Sequence, residues 1–179
     1  SMRQRKPTVN EATTQILYDR YYTDIDVSGN ILIAHTKPVV IVYNGVTCNM
    51  GVYKIECNCV EHGIRILGTA NTINGYAHPH VSSSTPCLGT YQKPITTAFE
   101  QGDYYTLLAT LGDYINSIYE GGWYVSVLAW ATDIDKRCKE CLELTSGCAC
   151  VLCAECGRVI DSCSCNRCPN SNDIITDGY

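Results

Sequence analysis

Hydrophobic positions in this chain change period several times, and each change marks an element. Between residues 8 and 22, Val9, Ala12, Ile16, Leu17 and Tyr21 recur at three- and four-residue steps behind Pro7-Thr8, which predicts an N-terminal helix. From Asn30 the pattern turns to β-branched runs, Ile31 to His35 and Val39 to Tyr43, broken at Lys37-Pro38 and closed by Asn44-Gly45. Val52 to Cys59 alternates strictly, with Tyr53, Ile55, Cys57 and Cys59 on one face and Lys54, Glu56 and Asn58 on the other. Glu61-His62-Gly63 is a hairpin turn into Ile64 to Leu67. These runs predict an antiparallel meander of about four strands with the helix packed on it.

Asn71 to Pro94 carries turn chemistry throughout, including Asn74-Gly75, Pro79, a serine run, Pro86 and Gly89, so it reads as an irregular loop. Gly102-Asp103 caps a further helix whose apolar face is Leu107, Leu108, Leu111, Tyr114, Ile115 and Ile118, and Gly121-Gly122 stops it. Trp123 to Ala131 is apolar and aromatic, and strand and short helix both fit it. The expected fold class is α+β over residues 8–132: N-terminal helix, antiparallel meander, irregular His-Pro…Cys loop and C-terminal helix. A small zinc-stabilised module over 136–169 follows, with flexible tails at 1–7 and 170–179.

Composition changes the picture most in the C-terminal quarter. Of 13 cysteines in 179 residues, nine lie between Cys138 and Cys168. Cys138, Cys141, Cys148 and Cys150 spell C-x2-C-x6-C-x-C, and Cys153, Cys156, Cys163 and Cys165 repeat it fifteen residues later, with Cys168 opening a third copy. Two thiolate pairs close a tetrahedral zinc site with no open position, so the repeat predicts two structural zinc ions, a three-metal cluster with bridging thiolates being the alternative. Glycine after the second cysteine of Cys153-x2-Cys156-Gly157 lets the backbone turn its amides toward sulfur. Iron–sulfur ligation is the second reading. An odd cysteine count fits full disulfide pairing poorly, and no apolar stretch follows the basic N-terminus, so an intracellular, cytoplasmic protein is expected. No run approaches the ~18 apolar residues of a membrane helix.

The formal charge is −5. Within 136–168, Lys136, Arg137, Lys139, Arg158 and Arg167 face Glu140, Glu143, Glu155 and Asp161, which is no basic footprint for nucleic acid. The cluster Arg3, Arg5, Lys6 reads as a solvated end. The thirteen tyrosines are spread along the chain, a pattern that does not suggest stacking on single strands. The partner expected for the zinc module is a protein.

Candidate chemistry outside the tail concentrates at Cys87, which sits among Ser, Thr and Pro with His78 and His80 close in sequence. An exposed thiol beside a histidine or a turn of backbone amides ionises more readily and becomes nucleophilic, whereas a buried one is a small hydrophobe. His78, His80 and Cys87 could also be set together as metal ligands. Cys57 and Cys59 point to an apolar strand face, where core packing is the preferred reading over metal ligation.

The string Tyr76-Ala77-His78-Pro79-His80-Val81-Ser82-Ser83-Ser84-Thr85-Pro86-Cys87-Leu88-Gly89 resembles the active-site segment of ubiquitin-conjugating enzymes, in which a His-Pro-Asn triplet precedes the catalytic Cys-Leu. The order of helix, meander, His-Pro segment, cysteine and helix agrees over roughly residues 8–120. The resemblance extends to divergent prokaryotic or phage relatives and to the non-catalytic RWD branch. It implies a thioester-forming nucleophile at Cys87, loop-shaping roles for His78 and Pro79, and a buried Leu88. His80 stands where the family has asparagine, and the resemblance makes it the candidate oxyanion donor. The implied partners are a ubiquitin-like modifier and its activating enzyme. The alternative is a non-catalytic interaction or assembly module of the same fold.

Overall fold

In the computed structural model, which describes residues 10–119, 121–138, 142–144 and 146, the first helix starts at an asparagine. The Asn10 side chain accepts from the Ala12 amide at 3.0 Å and caps α1, Glu11–Arg20, later than Pro7-Thr8 suggested. Only Leu17 of the helix is buried, and Ile16 is 45% exposed. The expected five-residue apolar face is therefore narrower than predicted. Contact continues through Tyr21, whose ring lies so close to Gly112 that a Cβ there would sit 2.5 Å from the ring.

The strands follow in order: β1 Tyr22–Ser28, β2 Ile31–Thr36, β3 Val39–Tyr43, β4 Val46–Gly51, β5 Tyr53–Asn58 and β6 Gly63–Gly68. An antiparallel four-stranded sheet forms in the order β1-β2-β5-β6, while β3 and β4 pair as a separate two-stranded sheet, with an isolated bridge from Cys48 of β4 to Ala131. The strand number expected for the main sheet holds, but its membership differs. β1 is an edge strand with Asp24 and Asp26 facing out and only Tyr22 fully enclosed, so it lacks a strong apolar alternation. β3 leaves the sheet because Asn44 and Gly45, at φ 47 and 79, turn it straight back into β4. β5 alternates as predicted, with Tyr53, Ile55 and Cys57 buried. His62 turns β5 into β6 at φ 54.

After β6 come the two-residue strands β7, Val81–Ser82, and β8, Thr85–Pro86, then a 3₁₀ turn at Gly89–Tyr91 and the helices α2, Gln92–Gln101, and α3, Tyr104–Ile115. Asp103 caps α3 as expected, its side chain accepting from the Thr106 amide at 3.0 Å. Leu107, Leu108, Leu111, Tyr114 and Ile115 are buried, each worth about 1.5–3 kcal/mol of apolar transfer. The Tyr22 hydroxyl donates to the Leu108 carbonyl at 2.6 Å inside this core.

The sequence reading missed α2. Its apolar positions Ile95, Ala98 and Phe99 are helical in spacing, but Pro94 and two threonines obscure them; Pro94 is tolerated within the first turn, where its missing N–H is an orphan. α3 ends at Ile115, ahead of Gly121-Gly122, because Asn116 donates its side-chain amide to the Gly112 carbonyl at 2.8 Å and takes over the last turn. Of the two readings that fit residues 123–131, the short helix is the one found, in 3₁₀ form: a single turn, Val127–Trp130, that buries Val127 and Trp130.

The chain divides into two compact units, one ending at Thr132 and the other beginning at Asp133. The second opens with a 3₁₀ turn at Ile134–Lys136 and the segment around Cys138. Cys141, Cys148, Cys150, Cys153, Cys156, Cys163, Cys165 and Cys168 lie outside the described residues, as do both expected tails. Among the described residues, no helix is long and apolar enough to cross a membrane.

Candidate functional site

The loop between β6 and α2 has little regular structure, so its backbone groups need partners from elsewhere. Side chains supply them. The Tyr53 hydroxyl donates to the Ala77 carbonyl at 2.7 Å, and the Tyr114 hydroxyl shares its proton between the carbonyls of His80 (3.1 Å) and Cys87 (3.2 Å). Burial raises the hydroxyl pKa of both tyrosines, so they remain donors at every physiological pH.

His78 is fully enclosed among Tyr53, His80 and Tyr114, at ring separations of 6.2, 6.0 and 5.7 Å. Its Nδ1 accepts from the His80 amide at 3.2 Å, which assigns the proton to Nε2, an atom without a hydrogen-bond partner among the described residues. Burial, and next the charge His80 could carry, bring the His78 pKa down to about 3, while the Ile115 backbone works the other way. His80 is equally enclosed. Its ring stacks on Tyr119 at 3.7 Å and 9°, and its Nε2 donates to the Tyr119 carbonyl at 3.1 Å. Burial lowers the His80 pKa, and the backbone of Tyr119 and Gly122 offsets part of that.

Two serines then reverse the chain. Ser83 and Ser84 at φ 46 and 67 link β7 to β8, and Ser84 fastens the hairpin to β6 by accepting from the Ile66 amide at 2.8 Å. Immediately after β8, the Cys87 amide donates to the His80 carbonyl at 2.8 Å, leaving the Cys87 side chain exposed while Leu88 turns into the core. The Tyr119 hydroxyl donates to the Cys87 carbonyl at 2.9 Å and also adjoins the Cys87 thiol. Burial first, then that thiol, push the Tyr119 pKa up to about 12. Gly89, at φ 51, leaves room for this ring: a Cβ there would lie 3.3 Å from its hydroxyl.

No family model, characterised protein or solved structure matches this chain. The resemblance to ubiquitin-conjugating enzymes therefore stands on the residues of the loop and the order of elements around it. The loop sets His78 beside His80 and ties the His80 carbonyl to the Cys87 amide. The role expected for the His80 side chain does not fit, however, because it is sealed from the surface and committed to Tyr119, so it cannot reach an acyl oxygen on an exposed Cys87. His80 meets Cys87 through its backbone carbonyl alone. Nor do His78, His80 and Cys87 form a metal site, and no cluster of three potential ligands occurs among the described residues.

Sequence reasoning missed the tyrosines. Tyr53, Tyr114 and Tyr119 each lie 24 or more residues from the loop carbonyls they meet, and no local pattern signals that their hydroxyls converge on one loop. A narrow groove of about 210 Å³, lined by Pro86, Leu88, Ile95 and Phe99 among others, runs beside Leu88.

In the second unit, the Cys138 amide donates to the Glu143 carbonyl at 2.8 Å, and the Leu142 amide donates back to the Cys138 carbonyl at 2.9 Å. Leu142 sits at φ 61, directly after Cys141, the place that Gly157 takes after Cys156. Arg137 braces the turn: its guanidinium grips Asp133 at 2.7 and 3.2 Å and donates to the Leu142 carbonyl at 2.9 Å. These bonds bring Leu142 and Glu143 back beside Cys138, the start of a C-x2-C pair.

Proposed function

We propose that Cys87 carries an acyl group as a thioester, in the manner of ubiquitin-conjugating enzymes, and that the unit from Asp133 onward is a zinc-binding module for protein contact. The observation that carries the first part is the exposure of Cys87 at the end of a loop whose histidines are neutral, buried props. A nucleophilic thiol needs access and a fixed backbone, and this loop supplies both. Support for the second part is the pair of backbone bonds that ties Leu142 and Glu143 to Cys138, so that the chain beyond Cys141 returns beside Cys138, together with the repeated cysteine spacing. The cysteines of Cys138 to Cys168 would hold two zinc ions, each supplying folding free energy on the order of 10 kcal/mol.

The decisive experiment incubates the protein with an activating enzyme and a ubiquitin-like modifier encoded beside it. A thiol-sensitive adduct, lost in Cys87→Ala, is the expected result. Absence of any such adduct favours the alternative, an interaction module of the same fold, for which the groove of mixed polar and apolar lining beside Leu88 is the supporting feature. Metal analysis of the intact chain tests the tail: two zinc ions per chain are expected, and disulfides with no metal contradict the module.

A further inference from the structure

Thioester chemistry passes through an oxyanion, and with the His80 side chain sealed away the loop needs another donor for it. We propose that the Tyr119 hydroxyl is that donor, an assignment that rests on the reading of Cys87 as an acyl carrier. In the loading step, the Cys87 thiol gives its proton to water and its sulfur attacks the acyl carbon of an incoming thioester. The carbonyl π electrons move onto oxygen, then return as the carbon–sulfur bond of the donor breaks and its thiolate leaves. In the transfer step an amine attacks the Cys87 thioester, the same oxygen carries the charge again, and the Cys87 thiolate leaves as the amide forms and the amine proton passes to water. In both steps the charged oxygen is one bond beyond the carbon attached to Cys87 sulfur.

Three features put Tyr119 in that role. Its hydroxyl is 2.9 Å from the Cys87 carbonyl oxygen and beside the thiol, so a side-chain donor stands against the residue that would carry the acyl group. Its ring is held before any substrate arrives, stacked 3.7 Å from the His80 imidazole, with its own carbonyl fixed by His80 at 3.1 Å and by the Trp123 indole at 2.6 Å. The ring is therefore in place beforehand, and only the hydroxyl proton, which rests on the Cys87 carbonyl, has to turn to the charged oxygen when it forms. Finally, Gly89 leaves the phenol end uncovered, whereas a side chain at φ 51 would crowd it. With a pKa of about 12, the hydroxyl keeps its proton throughout the neutral range. His80, in this arrangement, acts on the reaction only by positioning Tyr119.

The test uses the intact chain and two readouts. A peptide thioester ending in glycine, the least hindered acyl group, is presented to the parent protein and to Tyr119→Phe, which keeps the stacked ring and loses only the hydroxyl. Acyl transfer onto Cys87, and from Cys87 to an added amine, is expected to slow by about 10²-fold. Alkylation of Cys87 by iodoacetamide, a displacement with no carbonyl oxyanion, should not slow. Equal acyl-transfer rates in the two proteins overturn the assignment, and so does a parallel loss of both reactions, which would mean that Tyr119 only supports the loop or the thiol. Running Tyr119→Phe in the modifier assay separates the two levels. An adduct in both proteins at equal rates overturns Tyr119 alone, and no adduct even from the parent overturns the carrier reading and this assignment together.

Discussion

Strand β5 and the loop after β8 each hold a cysteine, and they treat it in opposite ways. Cys57 points from a central strand into the core, where burial, and next the neighbouring Cys59, push its thiol far above the ordinary range. Cys87 is exposed, at the end of a loop tied by hydroxyl-to-carbonyl bonds. The contrast teaches where reactivity can sit in this fold. A ladder satisfies the backbone with neighbouring strands and sends alternate side chains inward, so a cysteine there is packing. A loop tied by side chains satisfies its carbonyls without enclosing the residue that carries them.

The largest effect should be in thiol labelling of the native protein. Cys57 is reached only by unfolding, which at ordinary domain stabilities suppresses its reaction by a factor of about 10³ or more relative to Cys87. Peptide-resolved mass spectrometry after brief iodoacetamide exposure reads the ratio, and comparable labelling of both residues would break the comparison.

A second effect separates the props of the loop from the strand. His78 stays neutral in the folded protein until the pH nears about 3, whereas in the unfolded chain it takes up a proton near 6.5. Its contribution to stability is therefore complete above pH 6.5 and falls as the pH drops toward 3, by about 1.4 kcal/mol per pH unit. At pH 4.5 the loss is about 3 kcal/mol on that slope. Urea titrations of the parent and His78→Gln at pH 7 and 4.5 should show a steeper acid loss in the parent, and equal losses would remove His78 as the source.

Smallest in size but most specific is Tyr114→Phe. Deleting that hydroxyl strips a donor from the His80 and Cys87 carbonyls and should cost about 1–3 kcal/mol in thermal or chemical unfolding. Faster labelling of Cys87 with Cys57 still protected would show that the loss is confined to the loop. A neutral substitution would mean that water replaces the tyrosine there.

Much of the scaffold was legible in the chain. β5 announced itself by strict alternation, α3 by its leucines and Asp103, and the Asn44-Gly45 reversal by its turn residues, because each of these rests on contacts made within a few residues. β1 and α2 were not legible: β1 keeps only one fully buried residue, and the spacing of Ile95, Ala98 and Phe99 is masked by a proline that the first turn of a helix accepts. The cysteine at 87 and the histidines before it could be picked out by type and order. Their roles could not, since His78 and His80 differ from exposed histidines only through what encloses them.

By itself, then, the sequence determined the α+β class, the nucleophile candidate and the repeated cysteine spacing of the tail, all of which depend on residue type and local period. Only the tertiary structure decided that β3 and β4 pair apart from the main sheet, that His80 faces inward, and that Tyr53, Tyr114 and Tyr119 meet at one loop. The physical reason is that hydrogen bonding and burial at the loop link residues separated by tens of positions, and no pattern along a chain records which distant hydroxyl will find which carbonyl.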